Sequence, residues 1–185
     1  MMFAKWKSII ILIFSTFLLF GCTVEGILEN GDGSNELENT TSDSSITSIS
    51  DLFDTKYFKD GALEHIFEGE VNQRNQAVGF HYDGFPTKKG NIVQGTETKP
   101  NASGVYEAEI EVNGVSKTSN GGKSTFFPKE WNAQQVVDAI NEAYEAKTWI
   151  NGNTYAGLTS EGMEISMYLD QKEKIISAFP VYEGG

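Results

Sequence analysis

From Val105 to Val112 the chain alternates without a break: Tyr106, Ala108, Ile110 and Val112 fall on one face, and Glu107, Glu109 and Glu111 on the other. A strand repeats its side chains every two residues, so this pattern demands a sheet with one face in a core and one in water. Asn113-Gly114 follows at once, the dipeptide best suited to a tight hairpin turn. A second strand is therefore expected to return through Lys117 and then Ser124 to Phe127.

The rest of the domain must build around that sheet. Asn132 to Lys147 (NAQQVVDAINEAYEAK) reads as a helix, with Asn132 as its cap and Val136, Val137, Ile140 and Tyr144 as its buried stripe. Three alternating segments follow, 147–158, 163–169 and 175–182, with turns at Asn151-Gly152 and Asp170-Gln171. Upstream, Ala62 to Phe67 (ALEHIF) has helical spacing, Glu70 to Gln76 reads as a loop, and Ala77 to Tyr82 as a strand interrupted by Gly79. Asp83 to Ser103, rich in Gly, Pro, Lys and Thr, is expected to be a long loop. This order predicts an α+β fold, with mainly antiparallel sheets packed against a few helices.

The N-terminal part follows other rules. Lys5 and Lys7 precede an uncharged apolar run, Ile9 to Phe20, which is shorter than the roughly 20 residues a spanning helix needs and fits a secretory signal. It leads into Gly21-Cys22, and Cys22 is the single cysteine of the chain. That junction resembles a bacterial lipobox. Cleavage before Cys22 and lipidation of its thiol would hold the protein on the outer face of the bacterial membrane. The expected division is residues 1–21 as lipoprotein signal peptide, 22–52 as an acidic flexible tether and 53–185 as the folded domain. The tether carries acids, no base and almost no aromatic residue, too little apolar surface to offset its chain entropy.

Charge and motifs exclude several functions. The formal net charge is −12, and from Asp51 onward there are 20 acidic and 12 basic residues. Tight, unspecific nucleic-acid binding is disfavoured, because it rests on Lys and Arg. Gly121 to Thr125 (GGKST) resembles the end of a P-loop, but Lys117 stands where its first glycine belongs. The stretch NGDGSNELE departs from the EF-hand pattern, and no nucleophile elbow is present. The two histidines of the chain, His65 and His81, do not have the spacing of a zinc helix. No cofactor is expected; manganese stays open as an alternative, though no spacing of residues indicates it.

Two imidazoles and one cation suffice for one reaction. In RNA transesterification the substrate's own 2′-hydroxyl attacks the adjacent phosphate. A base takes its proton, an acid protonates the departing 5′ oxygen, and a cation holds the charge gathering on phosphorus. Histidine titrates near working pH and suits the first two tasks. A lysine suits the third. Taken singly, each histidine reads equally as a packing or surface residue.

The string EHIFEGEVN…AVGFHY resembles the histidine block of the EndoU endoribonucleases: a helical His, then Gly-Glu, then Gly-x-His. The matching residues are His65, Gly69, Glu70, Gly79 and His81. KSTFFPKEW resembles the lysine segment of the bacterial members, and ISAFPVY their last strand. The resemblance implies a nuclease domain of the barnase/EndoU/colicin/RelE type, cleaving RNA 3′ of uridylates to leave a 2′,3′-cyclic phosphate without a metal. It implies His81 as base and His65 as acid, with the exchange of the two open, and Lys123 as the third catalytic residue. Gly79 would add a backbone N–H. The C-terminal motif of the family is commonly Thr-x-Tyr; here Ser177 keeps a hydroxyl and Phe179 keeps a ring for stacking on a base. Tyr182 is a candidate for the missing phenol. Lys88, Lys89 and Lys99 in the long loop would contribute a local basic patch. The expected partners are RNA, the membrane through the lipid and, by the same resemblance, an immunity protein in a toxin-producing cell; the expected state is a monomer. The competing reading is a catalytically silent surface module of the same fold, supported by Phe179 and the negative charge.

Overall fold

The structure, a computed structural model, describes residues 46–184. The signal segment, Cys22 and most of the tether lie outside the described residues.

The expected α+β architecture is present. The alternating segment forms β4 (Tyr106–Val112), with Tyr106, Ala108, Ile110 and Val112 buried. One edge of β4 pairs with a strand of the 83–103 region, Gly90–Ile92 (β3). Its other edge takes β5 (Val115–Ser116), after a turn in which Asn113 and Gly114 both have positive φ, and then β6 (Lys123–Phe126). The 83–103 region is thus less of a loop than its composition suggests. Beyond β3 it stays attached to β4, because the Thr98 and Thr96 hydroxyls accept the N–H groups of Glu107 and Glu109.

The second sheet is a meander in the order β10-β9-β8-β7. Its strands are β7 (Thr148–Asn151), β8 (Thr154–Leu158), β9 (Glu164–Leu169) and β10 (Ile175–Pro180). Helix α2 (Ala133–Glu145) lies against it, opened by a reciprocal cap in which Asn132 and Gln135 each bond the other's backbone N–H. The approach is tight at Gly157, where a Cβ would stand 1.9 Å from the Ala143 carbonyl oxygen. Only glycine lets helix and sheet meet there.

Helix α1 (Ala62–Phe67) matches the sequence expectation, but the flanking segments do not. Glu70–Val71 (β1) and Ala77–Val78 (β2) form a small hairpin rather than a loop, and the expected strand to Tyr82 stops at Val78. Gly79 (φ +73) and Phe80 (φ +59) are both left-handed, which breaks the extended chain. The end of the presumed tether also differs. Ser48 caps a short 3-10 turn, Ile49–Asp51; Ile46 and Ile49 pack on the core, and Leu52 is buried. These apolar side chains offset the entropy of ordering this segment.

Two apolar clusters result. One joins α1, α2 and the meander, with Phe67, Ile140, Ile165, Met167 and Ile175 at its centre. The other lies under β4 and contains Phe80, Tyr106, Ile110, Val112 and Phe126.

Candidate active site

The two histidines meet because a short helix needs partners for its last carbonyls. In α1 the His65 and Ile66 carbonyls lie in the last turn, where the chain offers no N–H of its own. The N–H groups of Phe80 and His81 supply them, at 3.0 and 2.7 Å. Residues 79–81 are thereby laid against the helix end, and the sixteen-residue separation in sequence disappears. The approach is close enough that a Cβ on Gly79 would fall 2.1 Å from the His65 carbonyl oxygen. Phe80 is held in its left-handed conformation by full burial, edge-on to Phe126 and beneath Gly90. His81 sits between them in a literal sense: Phe80 enters one apolar cluster and Tyr82 the other. The same division recurs at Phe126 and Phe127.

A cleft of about 480 Å³ opens along this seam, and His65, Gly79, His81, Lys117, Lys123 and Ser124 line one side of it. His81 is only 6% exposed, yet it borders the cleft and is not sealed in the core. Its Nδ1 donates to the Thr125 carbonyl at 2.8 Å. A carbonyl only accepts, so Nδ1 carries the hydrogen and Nε2 keeps a lone pair. Burial pushes the imidazole down to about 3, and the Lys117 charge acts in the same direction. His81 is therefore a neutral ring at physiological pH. His65 Nδ1 lies 3.0 Å from the Glu70 Oε1 carboxylate oxygen, which likewise commits that nitrogen as donor and leaves Nε2 uncommitted.

Lys117 is the residue that sequence reasoning missed. It falls just past β5, where the chain leaves the edge of β4 for the Ser119–Gly122 excursion and returns as β6. Its ammonium is buried and donates to Ser124 Oγ at 2.8 Å, and Ser124 in turn donates to the Gly79 carbonyl at 3.0 Å. Burial lowers it to about 8. No ion pair to a carboxylate involves Lys117 among the described residues. Lys123 also lines the cleft but at its rim, half exposed, with its Nζ 3.4 Å from a Glu107 oxygen. A signal for Lys117 was available: three positions past Asn113-Gly114 it falls opposite Ile110, on the buried face of β4.

Ser177 and Phe179 lie on the opposite wall, as expected from the last strand. A register shift between Ile175 and Ser177 adds one residue to β10, and it brings Ile176 and Ser177 both to the cleft. Phe179 stacks on the His81 ring, with centroids 5.1 Å apart and planes at 23°. Tyr182 is not in the cleft; its hydroxyl donates to the Lys99 carbonyl. Lys88 and Lys89 are not there either, since Lys88 is paired with Asp83 at 2.7 Å and Lys89 with Glu68 at 2.6 Å. The loop lysines are spent on local carboxylates instead of forming a patch beside the histidines. Among the described residues no group of three or more His, Cys, Asp or Glu is placed to hold a metal.

An α+β domain thus brings two histidines and two lysines to one cleft, and the nuclease class follows from the family that the chain matches. The chain belongs to the bacterial EndoU nuclease family, whose model matches residues 59–182. It is also 52% identical over 132 residues to a Bacillus cereus protein named "Toxin", an alignment covering 71% of this chain and 24% of that protein. The chain thus spans about a quarter of the length of this curated relative. No solved structure matches it.

Proposed function

We propose that this protein is an endoribonuclease that cleaves RNA 3′ of uridylates by transesterification, leaving a 2′,3′-cyclic phosphate and using no metal. The observation that carries the reading is the pairing of two imidazoles, each with Nδ1 committed and Nε2 uncommitted, beside a buried ammonium that has no carboxylate.

His81, neutral with a lone pair on Nε2, takes the proton of the 2′-hydroxyl. The oxygen attacks phosphorus in line, and the bond to the 5′ oxygen breaks. That leaving oxygen receives its proton from Nε2 of His65, which acts as the doubly protonated ring with Nδ1–H held by Glu70 and is left neutral by the step. Lys117 faces the charge that grows on the non-bridging oxygens, in a sheltered site where such an interaction counts for more than in water. The incoming phosphate also offsets the Lys117 charge felt by His81, lifting the base toward working pH. Lys123, the lysine that the family resemblance marks, lines the same cleft and is the second cation available to the phosphate. Ser177 supplies a hydroxyl to the sugar or base, and the N–H groups near Gly79 supplement Lys117.

The setting we infer is extracellular. The basic, apolar and Gly21-Cys22 sequence supports a lipid on Cys22, in a setting where a monomeric domain stands off the outer membrane face on the acidic tether. The name of the Bacillus cereus relative supports a toxin role, and a producing cell would then carry an immunity protein against the domain.

The test is an oligoribonucleotide with a single uridine, incubated in chelator with wild type, His65→Ala and His81→Ala. Cleavage at that uridine with a cyclic-phosphate end, lost in both variants, is expected. An inactive wild type, or activity surviving both substitutions, overturns the proposal.

A further inference from the structure

One face of Phe179 already lies on His81, which leaves at most its other face for a base. The ring row continues outward: Tyr168 stands 5.8 Å from Phe179, tilted by 52°. Tyr168 belongs to β9 and is directly opposite Ser177 of β10, so both side chains leave the sheet on the same face. Tyr168 and Ser177 both line the cleft. Tyr168 is 38% exposed, so part of its ring is open to solvent at the cleft. Its hydroxyl makes no hydrogen bond among the described residues, a property it shares with Tyr106 and Tyr155, but of these three only Tyr168 lines the cleft.

We propose that Tyr168 is the residue that receives the nucleobase, with Phe179 acting as the spacer that fixes both Tyr168 and the His81 ring. This rests on the nuclease reading and adds to it the element that binds the base. A base lying on Tyr168 puts its ribose over Ser177 and its 3′ phosphate toward Lys117 and the histidines.

Binding tests this without requiring turnover. Affinities of the full chain for uridine 3′-monophosphate and for inorganic phosphate are measured by calorimetry, for wild type, Tyr168→Phe and Tyr168→Ala. The wild type is expected to prefer the nucleotide roughly tenfold or more, the worth of one base–aromatic stack. Tyr168→Phe keeps that preference, and Tyr168→Ala abolishes it while leaving phosphate affinity unchanged. A Tyr168→Ala variant that still prefers the nucleotide, or a wild type with no preference, overturns the inference. Cleavage of RNA by the wild type is read separately, so loss of the nuclease reading is distinguished from loss of this one.

Discussion

Replacing Gly79 by alanine is the sharpest perturbation of the site, because it leaves both imidazoles and both ammonium groups chemically unchanged. The added Cβ would lie 2.1 Å from the His65 carbonyl oxygen, whereas real Cβ contacts stay beyond 3.0 Å, so the chain must part from α1 by about 0.9 Å. Both partners are backbone, and neither can turn aside. The position also has φ +73, which costs alanine roughly 1 kcal/mol over glycine. The separation strains the N–H bonds from Phe80 and His81 to the end of α1, and these hold the two imidazoles at their spacing. A displacement of about 1 Å between reacting groups costs on the order of 100-fold in rate. The expected result is therefore a fall of about 100-fold in kcat on a uridine-containing oligonucleotide, with a stability loss of about 1–3 kcal/mol in urea unfolding. A Gly79→Ala protein with wild-type kcat would refute the claim that this backbone approach sets the geometry of the histidines.

Two further predictions concern pH. Lys117 titrates near 8 in the folded protein, so kcat/KM should fall as pH rises through that value; in Lys117→Met, which lacks the charge, the basic limb and most of the activity should vanish together, and a limb that persists assigns it elsewhere. His81 is held near 3, below its unfolded value of about 6.5, so its contribution to stability is complete above about 6.5 and is lost as pH falls toward 3. Between pH 7 and 4 this amounts to on the order of 3 kcal/mol, and urea midpoints of His81→Gln should show a correspondingly weaker acid dependence than the wild type.

What was legible in the sequence follows from what is local. The alternation at Tyr106 to Val112, the Asn113-Gly114 turn, the Asn132 cap and the α1 stripe each arise from neighbouring residues, and each stands where its pattern put it. The chain after Val78 was misread because Gly79 and Phe80 reverse their backbone for a distant reason, the carbonyls of α1. No period in AVGFHY encodes that. Lys117 was passed over for a similar cause: its burial comes from the detour between β5 and β6, two segments on one edge of β4 that look like a single strand in the sequence. Lys88 and Lys89 were read from composition, and composition does not reveal that Asp83 and Glu68 lie within reach. The tyrosine beside the cleft was invisible until the β9–β10 register placed it opposite Ser177.

The division of the interior into two apolar clusters has a consequence of its own. Neighbouring residues send their rings to opposite sides at Phe80 and Tyr82, and again at Phe126 and Phe127, so the chemistry is strung along a joint. Loosening that joint by an ångström would silence the protein while each half kept its own interior intact. Loss of catalysis in mild denaturant should then precede any change in far-ultraviolet circular dichroism, and a ligand clamped across both halves would protect the activity more than it protects the fold.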